Sequence, residues 1–231
     1  MIYKKDKKVP ANLSAAILHY PHIEDSRLEY MKMLNAYEGA MKGISTKLEI
    51  LDAEFQTVHD HNPIHHMESR IKSIPSILGK LERKGLDPNL QNIVDYITDV
   101  VGLRIICPYI EDIYTLTELL SNQEGIHVIR KTDYIQNPKA NGYRSMHLVV
   151  RVPVTLSDRT EQVAVEIQLR TIAMDMWASL EHELHYKSAQ QPVEHLSERL
   201  RRCAVSLADI DLRMQEIYDH IRDEDPDCIS D

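Results

Sequence analysis

Two short basic segments and two isolated carboxylates are the residues of this sequence best suited to chemistry. The first segment carries four side chains of types that bind phosphates, Arg70, Lys72, Ser76 and Lys80. The second is the run Asn-Pro-Lys-Ala-Asn-Gly-Tyr-Arg-Ser-Met-His at 137–147, and the carboxylates are Asp99 and Glu166. Cations bind phosphates, an aromatic ring stacks on a base, and carboxylates hold Mg²⁺, so this combination is typical of nucleotide chemistry.

Both carboxylates are expected at the edges of β-strands. Apolar residues alternate along 163–169, which places three polar side chains on the opposite face of one strand, Glu166, Gln168 and Arg170. Asp99 opens another apolar run, which contains Arg104. If these strands are neighbours, the two carboxylates could hold one Mg²⁺ together with substrate phosphates. Alternatively, each carboxylate ends its strand in solvent or pairs with a nearby arginine.

The first basic segment could form a phosphate-binding cradle. Ser76 and Lys80 lie four positions apart and so share one face of a short helix that starts near Pro75. Arg70 and Lys72 precede them on an extended segment and point the same way. Four donors near a helix start suit a phosphate group. The alternative is a solvated basic stretch.

The second segment predicts a loop that presents an aromatic ring. Its Pro, Asn and Gly residues favour a loop that leads Tyr143 into a strand. Beside Lys139, Asn141 and Arg144, an exposed ring could stack on a purine while the cations meet its phosphates. The alternative is a hairpin loop with a core tyrosine.

The bulk composition describes an ordinary soluble protein. The chain has 231 residues, 43% hydrophobic and 27% charged, which suits one substantial core. A net charge of −9 disfavours broad binding to RNA without excluding it. Cys107 and Cys203 are expected as small core residues of a reduced protein. Because no apolar run approaches the roughly 20 residues of a membrane helix, and the first residues lack a secretory signal, we expect a cytoplasmic protein.

The hydrophobic pattern predicts an α/β (α+β) fold, a mixed sheet of about five strands flanked by helices. Apolar runs predict strands at 100–107, 126–129, 146–154 and 163–169. Periodic segments between them predict helices at 76–83, 113–120 and 171–186. Short connections between some strands favour antiparallel neighbours.

A long helix is predicted on each side of this central region. Apolar residues recur at alternating spacings of four and three in the helices predicted at 25–59 and 189–222. Such a narrow seam is more typical of helix pairing than of a broad core-facing surface, so contacts between copies of the chain are favoured. A flexible arm is expected at 1–24 and an acidic disordered tail at 223–231.

Taken in order, these segments resemble the synthetase domain of the RelA/SpoT-type alarmone synthetases, the (p)ppGpp-forming GTP pyrophosphokinases. The resemblance covers roughly residues 60–188 and is greatest to the small single-domain branch. It rests on the spaced cations of the first segment, on Asp-Val-Val-Gly-Leu-Arg at 99–104, on the run 137–147 and on Val-Glu-Ile-Gln-Leu-Arg-Thr at 165–171. It implies a nucleotidyltransferase-like fold.

The resemblance also implies an activity and a set of site residues. The activity is transfer of the pyrophosphate of ATP to the 3′-hydroxyl of GDP or GTP in the stringent response, with release of AMP. Asp99 and Glu166 would be catalytic and bind Mg²⁺. The residues implied on the ATP side are Arg70, Lys72, Ser76, Lys80 and Arg104. Those implied on the GDP or GTP side are Lys139, Asn141, Tyr143, His147 and Gln168.

Other implications concern assembly and regulation. A homotetramer is implied, and no hydrolase activity is expected because a hydrolase domain has no room here. Thr132 replaces a lysine of the long enzymes, which leaves the preference for GDP or GTP open. Some small synthetases bind their pentaphosphate product through basic residues of the first long helix. Ser45, Glu49 and Asp52 occupy those positions here and argue against that regulation. A non-catalytic nucleotide-binding regulator and an RNA-binding module are the competing interpretations.

Overall fold

The computed structural model describes residues 26–188 and 194–224, with side chains described except at 185–188 and 194–196. In chain order, the elements are α1 (Arg27–Val58), β1 (His66–Ile71), α2 (Ile74–Arg83), α3 (Leu90–Tyr96), β2 (Val101–Cys107), α4 (Ile110–Asn122), β3 (His127–Asp133), β4 (Met146–Thr155), β5 (Thr160–Thr171), α5 (Ile172–Ser188) and α6 (Glu194–Glu224). Within the described ranges, no helix combines the length and the apolar character needed to cross a bilayer.

Five strands form one mixed sheet in the order β1-β2-β5-β4-β3 within these ranges. The β2–β5 pair is parallel, and the other three pairs are antiparallel. A fold of one mixed sheet flanked by helices confirms the predicted class. All four predicted strands exist. The edge strand β1 and the short helix α3 were not predicted.

The two faces of the sheet differ in chemistry because side chains alternate along each strand. On one face, the odd-numbered residues of β5 from Val163 to Leu169 are buried and contribute to the hydrophobic core. Helix α1 crosses this face and contacts β1, β2, β4 and β5. The contact is close at Gly39, where a Cβ atom would lie 2.8 Å from Cγ1 of Val154. The opposite face carries polar side chains.

The apolar seam of α1 is covered by the sheet of the same chain. Leu34, Tyr37, Ile44 and Leu48 are all at most 5% exposed. The preference for helix pairing between copies was therefore wrong for this helix, because the periodicity shows that a face is buried but not what buries it. Along this seam, Val58 at the end of the helix is 70% exposed, and outside the seam Leu28 and Ile50 are also exposed.

Helix α6 differs from α1. Ala204 and Asp211 are buried, whereas Ile210, Met214, Ile217 and Ile221 are 48% to 61% exposed. The expectation that Cys203 is a core residue was wrong, since this thiol is exposed, while Cys107 is buried. The arm predicted at 1–24 lies outside the described residues. So does the tail predicted at 223–231, apart from its first two residues, which continue α6.

Candidate active site

The polar face of the sheet gathers side chains from adjacent strands. The register places Gly102 beside Glu166 across the β2–β5 pair, and Arg104 beside Gln168. On the other side of β5, His147 of β4 lies opposite Gln168. Gly102 has no side chain of its own beside Glu166, and an added Cβ would lie 4.0 Å from Cγ of Arg70. Strand pairing, rather than any loop, therefore sets the relative positions of these side chains.

A cavity of about 220 Å³ opens over β1, β2 and β5. Its lining includes six of the charged or amide side chains expected in the site: Arg70, Lys72, Asp99, Arg104, Glu166 and Gln168. The structure therefore places both predicted carboxylates in one cavity with three cations.

Asp99 is held by two lysines. Its Oδ2 accepts hydrogen bonds from Nζ of Lys72 at 2.5 Å and from Nζ of Lys80 at 2.7 Å. Burial acts to raise the pKa of Asp99, but the two lysines outweigh it, and the pKa lies below its usual value. The other oxygen, Oδ1, is buried without a hydrogen-bond partner among the described residues. An ionised carboxylate with one unsatisfied oxygen suits a cation.

Glu166 is oriented by its neighbours on the sheet. Its Oε2 accepts a hydrogen bond from Nε2 of Gln168 at 2.8 Å, and its Oε1 lies 3.4 Å from Nδ1 of His147. Burial acts to raise the pKa of Glu166, yet hydrogen bonds from His147 and Gln168 leave it below its usual value. The negative charge of Asp99 also acts on this pKa, in the upward direction. The two carboxylates are thus close enough to interact.

Tyr143 lies at the other end of the polar face. Its hydroxyl is 2.7 Å from Nε2 of His147 and accepts a hydrogen bond from Nη2 of Arg170 at 2.7 Å. The ammonium of Lys139 lies 4.6 Å from the centre of the Tyr143 ring and 4.7 Å from that of Tyr134. Tyr143 is partly exposed, and its ring is fixed at the hydroxyl and adjacent to a cation.

The loop that carries Tyr143 is held by its own backbone and by α6. The backbone N–H of Tyr143 donates to Oδ1 of Asn141 at 3.1 Å, and Nδ2 of Asn141 donates to Glu181 at 3.2 Å. Gly142 has a φ of 95° and packs against α6, where an added Cβ would lie 2.6 Å from Cβ of Ala204. Glycine is required here both by the conformation and by the contact.

Two residues expected at the site lie elsewhere. The hydroxyl of Ser76 is 2.8 Å from that of Ser73 at the start of α2, outside the cavity lining. Arg144, expected to meet phosphates, instead donates to the carbonyl of Ile135 at 2.7 Å and lines a groove next to Asp211 of α6. The sequence showed a cation next to Tyr143 but not that the chain turns it toward α6.

Two other polar side chains, Asp175 and Glu68, were not singled out from the sequence, and Arg170 was given no role in the site. Arg170 joins Tyr143 to Gln168, Asp175 lies between Arg170 and Arg104, and Glu68 lines the cavity beside Arg104. The alternation along β5 did place Arg170 on the polar face. Nothing in the pattern could pair it with Asp175, because that contact depends on how α5 leaves β5.

Comparison with known proteins identifies the family. Residues 69–191 match the family described as the region found in RelA / SpoT proteins. The chain is 40% identical over 192 residues to GTP pyrophosphokinase YwaC of Bacillus subtilis, strain 168. That alignment covers 83% of this chain and 91% of the relative.

Two crystal structures of Bacillus subtilis proteins share the fold. Small alarmone synthetase 2 superposes with a TM-score of 0.76 at 41% identity, over 83% of this chain and 99% of that one. Small alarmone synthetase 1 bound to its product pppGpp gives a TM-score of 0.78 at 35% identity, over 84% and 98%. With a family match over more than half of its length and a relative this similar, the chain belongs to the RelA/SpoT family.

Proposed function

We propose that this protein is a (p)ppGpp synthetase of the stringent response, a GTP pyrophosphokinase. It transfers the β,γ-pyrophosphate of ATP to the 3′-hydroxyl of GDP or GTP. The bond between the ribose 3′-oxygen and the β-phosphorus forms, the bond from that phosphorus to the α,β-bridging oxygen breaks, and AMP leaves. The observation that carries this proposal is the pair of ionised carboxylates, Asp99 and Glu166, in one cation-lined cavity.

The donor nucleotide is assigned to the β1–β2 side of the cavity. Arg70, Lys72 and Arg104 line it, and Lys80 reaches Asp99 from α2. A triphosphate would gain charge-assisted hydrogen bonds from these cations, two of which are otherwise neutralised by Asp99. Ser76 is assigned to the same side from the sequence pattern, and would have to exchange its contact with Ser73 for a phosphate.

Asp99 and Glu166 are proposed to hold Mg²⁺. The fit rests on the buried, unpartnered Oδ1 of Asp99 and on the ionised state of both groups. Mg²⁺ binds through one or two carboxylates plus substrate phosphates, which this donor set matches. When bound, the ion would neutralise negative charge on the phosphates during transfer.

The acceptor is assigned to the Tyr143 side. The partly exposed ring offers a surface for the guanine base, with Lys139 beside it and His147 at its hydroxyl. Gln168 is linked to the same hydroxyl through Arg170. Asn141 fixes the loop that carries the ring. Since His147 lies between Tyr143 and Glu166, an acceptor stacked on the ring would extend its ribose toward the Glu166 carboxylate.

Glu166 is proposed to accept the proton of the attacking 3′-hydroxyl. It is ionised, which a base requires, but its lowered pKa makes it a weak base. General-base help typically contributes about 10²–10⁴-fold. Most of the acceleration is therefore assigned to in-line positioning and to neutralisation of phosphate charge by the cations.

Incubation of the purified protein with labelled ATP, Mg²⁺ and either GDP or GTP tests this proposal. Anion-exchange separation should yield guanosine tetra- or pentaphosphate and AMP in equal amounts. Bound nucleotide without product would favour the non-catalytic regulator instead. The same assay decides the acceptor preference.

Because these substrates are intracellular metabolites, we infer that the reaction takes place in the cytoplasm.

A homo-oligomer, specifically a tetramer, is proposed to form through the exposed apolar residues of α6. Ile210, Met214, Ile217 and Ile221 recur at spacings of four, three and four, so they form one stripe. An exposed stripe of this kind suits a second copy of the chain. Ile217→Glu should reduce the mass measured by light scattering, whereas Glu216→Ala, beside it, should not. An unchanged mass for Ile217→Glu would contradict this interface.

Regulation by the pentaphosphate product through α1 is not proposed. Ser45, Glu49 and Asp52 line a cavity of about 350 Å³ between α1 and β1, called here the α1 cleft. His65, His66, Glu68 and Ser69 complete its polar lining, and among the described residues neither lysine nor arginine lines it. A cleft with three carboxylates repels a polyphosphate.

A further inference from the structure

One carboxylate lies between the donor side and the acceptor side of the site. Oδ1 of Asp175 is 3.3 Å from Nη1 of Arg104 and 3.0 Å from Nη1 of Arg170. Arg104 lines the cavity assigned to ATP, and Arg170 contacts the tyrosine assigned to guanine. A single oxygen atom is thus shared by one cation from each side.

Arg170 depends on this carboxylate because it is buried. Its side chain is 6% exposed, and Asp175 is its ion-pair partner among the described residues. Its Nη2 donates to the Tyr143 hydroxyl at 2.7 Å and to Oε1 of Gln168 at 2.9 Å. A buried cation without its anion is costly. Asp175 therefore fixes the guanidinium that fixes the Tyr143 ring.

Arg104 is held less firmly. Its side chain is 27% exposed, and Nη1 divides its contacts between Asp175 and Glu68, each at 3.3 Å. Phosphate oxygens of a bound triphosphate would compete for this guanidinium. If Arg104 turned toward these phosphate oxygens, its ion pair with Asp175 would break, and Asp175 would then pair with Arg170 alone. Asp175 lies in the first turn of α5, where the helix dipole favours an anion.

We propose that Asp175 is a positioning residue that couples the two nucleotide sites. Donor binding at Arg104 strengthens the Asp175–Arg170 ion pair, which holds Tyr143 in place and raises the affinity for the acceptor. By thermodynamic reciprocity, the acceptor raises the affinity for the donor by the same factor. This proposal rests on the donor and acceptor assignments made above.

The coupling is measured by calorimetric titration of GDP into the protein with and without a saturating, non-hydrolysable α,β-methylene analogue of ATP and Mg²⁺. In the unmodified protein, we expect the analogue to tighten GDP binding by about 5-fold or more. The coupling ratio is the Kd for GDP without the analogue divided by the Kd for GDP with it. Asp175→Asn keeps the shape of the side chain and removes its charge, and should bring this ratio to about one. Asp175→Glu, which keeps the charge, should retain a ratio above that of Asp175→Asn.

Glu68→Gln is the matched control. It removes the other carboxylate partner of Arg104 without touching Arg170, so it should change ATP affinity but preserve the ratio. An equal ratio in the unmodified protein and Asp175→Asn, with both nucleotides bound, would overturn the coupling role alone. A loss of the ratio in Glu68→Gln as large as in Asp175→Asn would also overturn it. Failure of the unmodified protein to bind either nucleotide would overturn the proposed function with it.

Discussion

Replacing Gly142 by alanine should weaken acceptor binding although Gly142 has no side chain to contact a nucleotide. The residue has a φ of 95°, and an alanine Cβ would lie 2.6 Å from Cβ of Ala204 and 3.4 Å from Cα of Arg201. Neither neighbour can move freely, since both belong to α6. The loop must therefore either accept strain or move away from the helix, taking Tyr143 with it.

The magnitude follows from the two causes. A left-handed conformation costs a residue with a Cβ about 1–2 kcal/mol, and overpacking typically costs about 1–3 kcal/mol. If the loop stays in place, the free energy of unfolding falls by about 2–5 kcal/mol. For a chain of this size, each kcal/mol lowers the Tm by about 2–4 °C. If the loop moves, stability is recovered and the KM for GDP rises instead.

Calorimetric Tm and steady-state KM values for GDP and ATP distinguish these outcomes. The expected result is a lower Tm, a higher KM for GDP, or both, with the KM for ATP little changed. The double variant Gly142→Ala with Ala204→Gly removes the clash but not the φ strain, so it should restore part of the loss. The single variant Ala204→Gly measures how much the glycine itself destabilises α6, which is about 1 kcal/mol. A Gly142→Ala variant with unaltered Tm and unaltered KM for GDP would refute the packing argument.

Four further predictions concern the chemistry and its regulation. Glu166→Gln should lower kcat by about 10²–10⁴-fold with nucleotide affinities nearly unchanged, whereas Glu161→Gln on the same strand should retain kcat; equal effects would contradict the base role. Tyr143→Ala should raise the KM for GDP by about 10-fold, since stacking on one base contributes about 1–3 kcal/mol, and an unchanged KM would remove the stacking role. Despite burial, neighbouring hydrogen-bond donors hold the pKa values of Asp99 and Glu166 below their usual values, so the stability that each ionised carboxylate contributes is present above its ordinary pKa and is lost as the pH falls through its lower folded pKa. Thermal unfolding should therefore show no loss of Tm from these two groups above about pH 5, and a loss above that pH that is absent in Glu166→Gln would contradict this. Added pppGpp should not activate synthesis through the α1 cleft, and activation that vanishes when a cleft carboxylate is replaced would refute that view.

The parts of the fold that depend on local pattern were predictable. Alternation along β5 placed Glu166, Gln168 and Arg170 on one face, and the register then made this the polar face of the sheet. The loop at 137–147 was predicted from its turn-forming residues. These features depend on neighbours in sequence, so a single chain contains the information.

Features that depend on which elements meet were not predictable. The seam of α1 indicated a buried face but could not distinguish the sheet from a second helix, and Leu48 is fully buried within the chain. Arg144 was grouped with the site cations because it follows Tyr143, yet it lies against α6. The Arg104–Asp175–Arg170 arrangement requires the exit angle of α5 from β5, which no spacing encodes.

The most direct test of the account is a crystal structure with the α,β-methylene analogue of ATP, GDP and Mg²⁺ bound. We expect one ion about 2.0–2.1 Å from carboxylate oxygens of both Asp99 and Glu166, with guanine stacked on Tyr143. An ion bound away from both carboxylates, or a guanine base elsewhere, would contradict it.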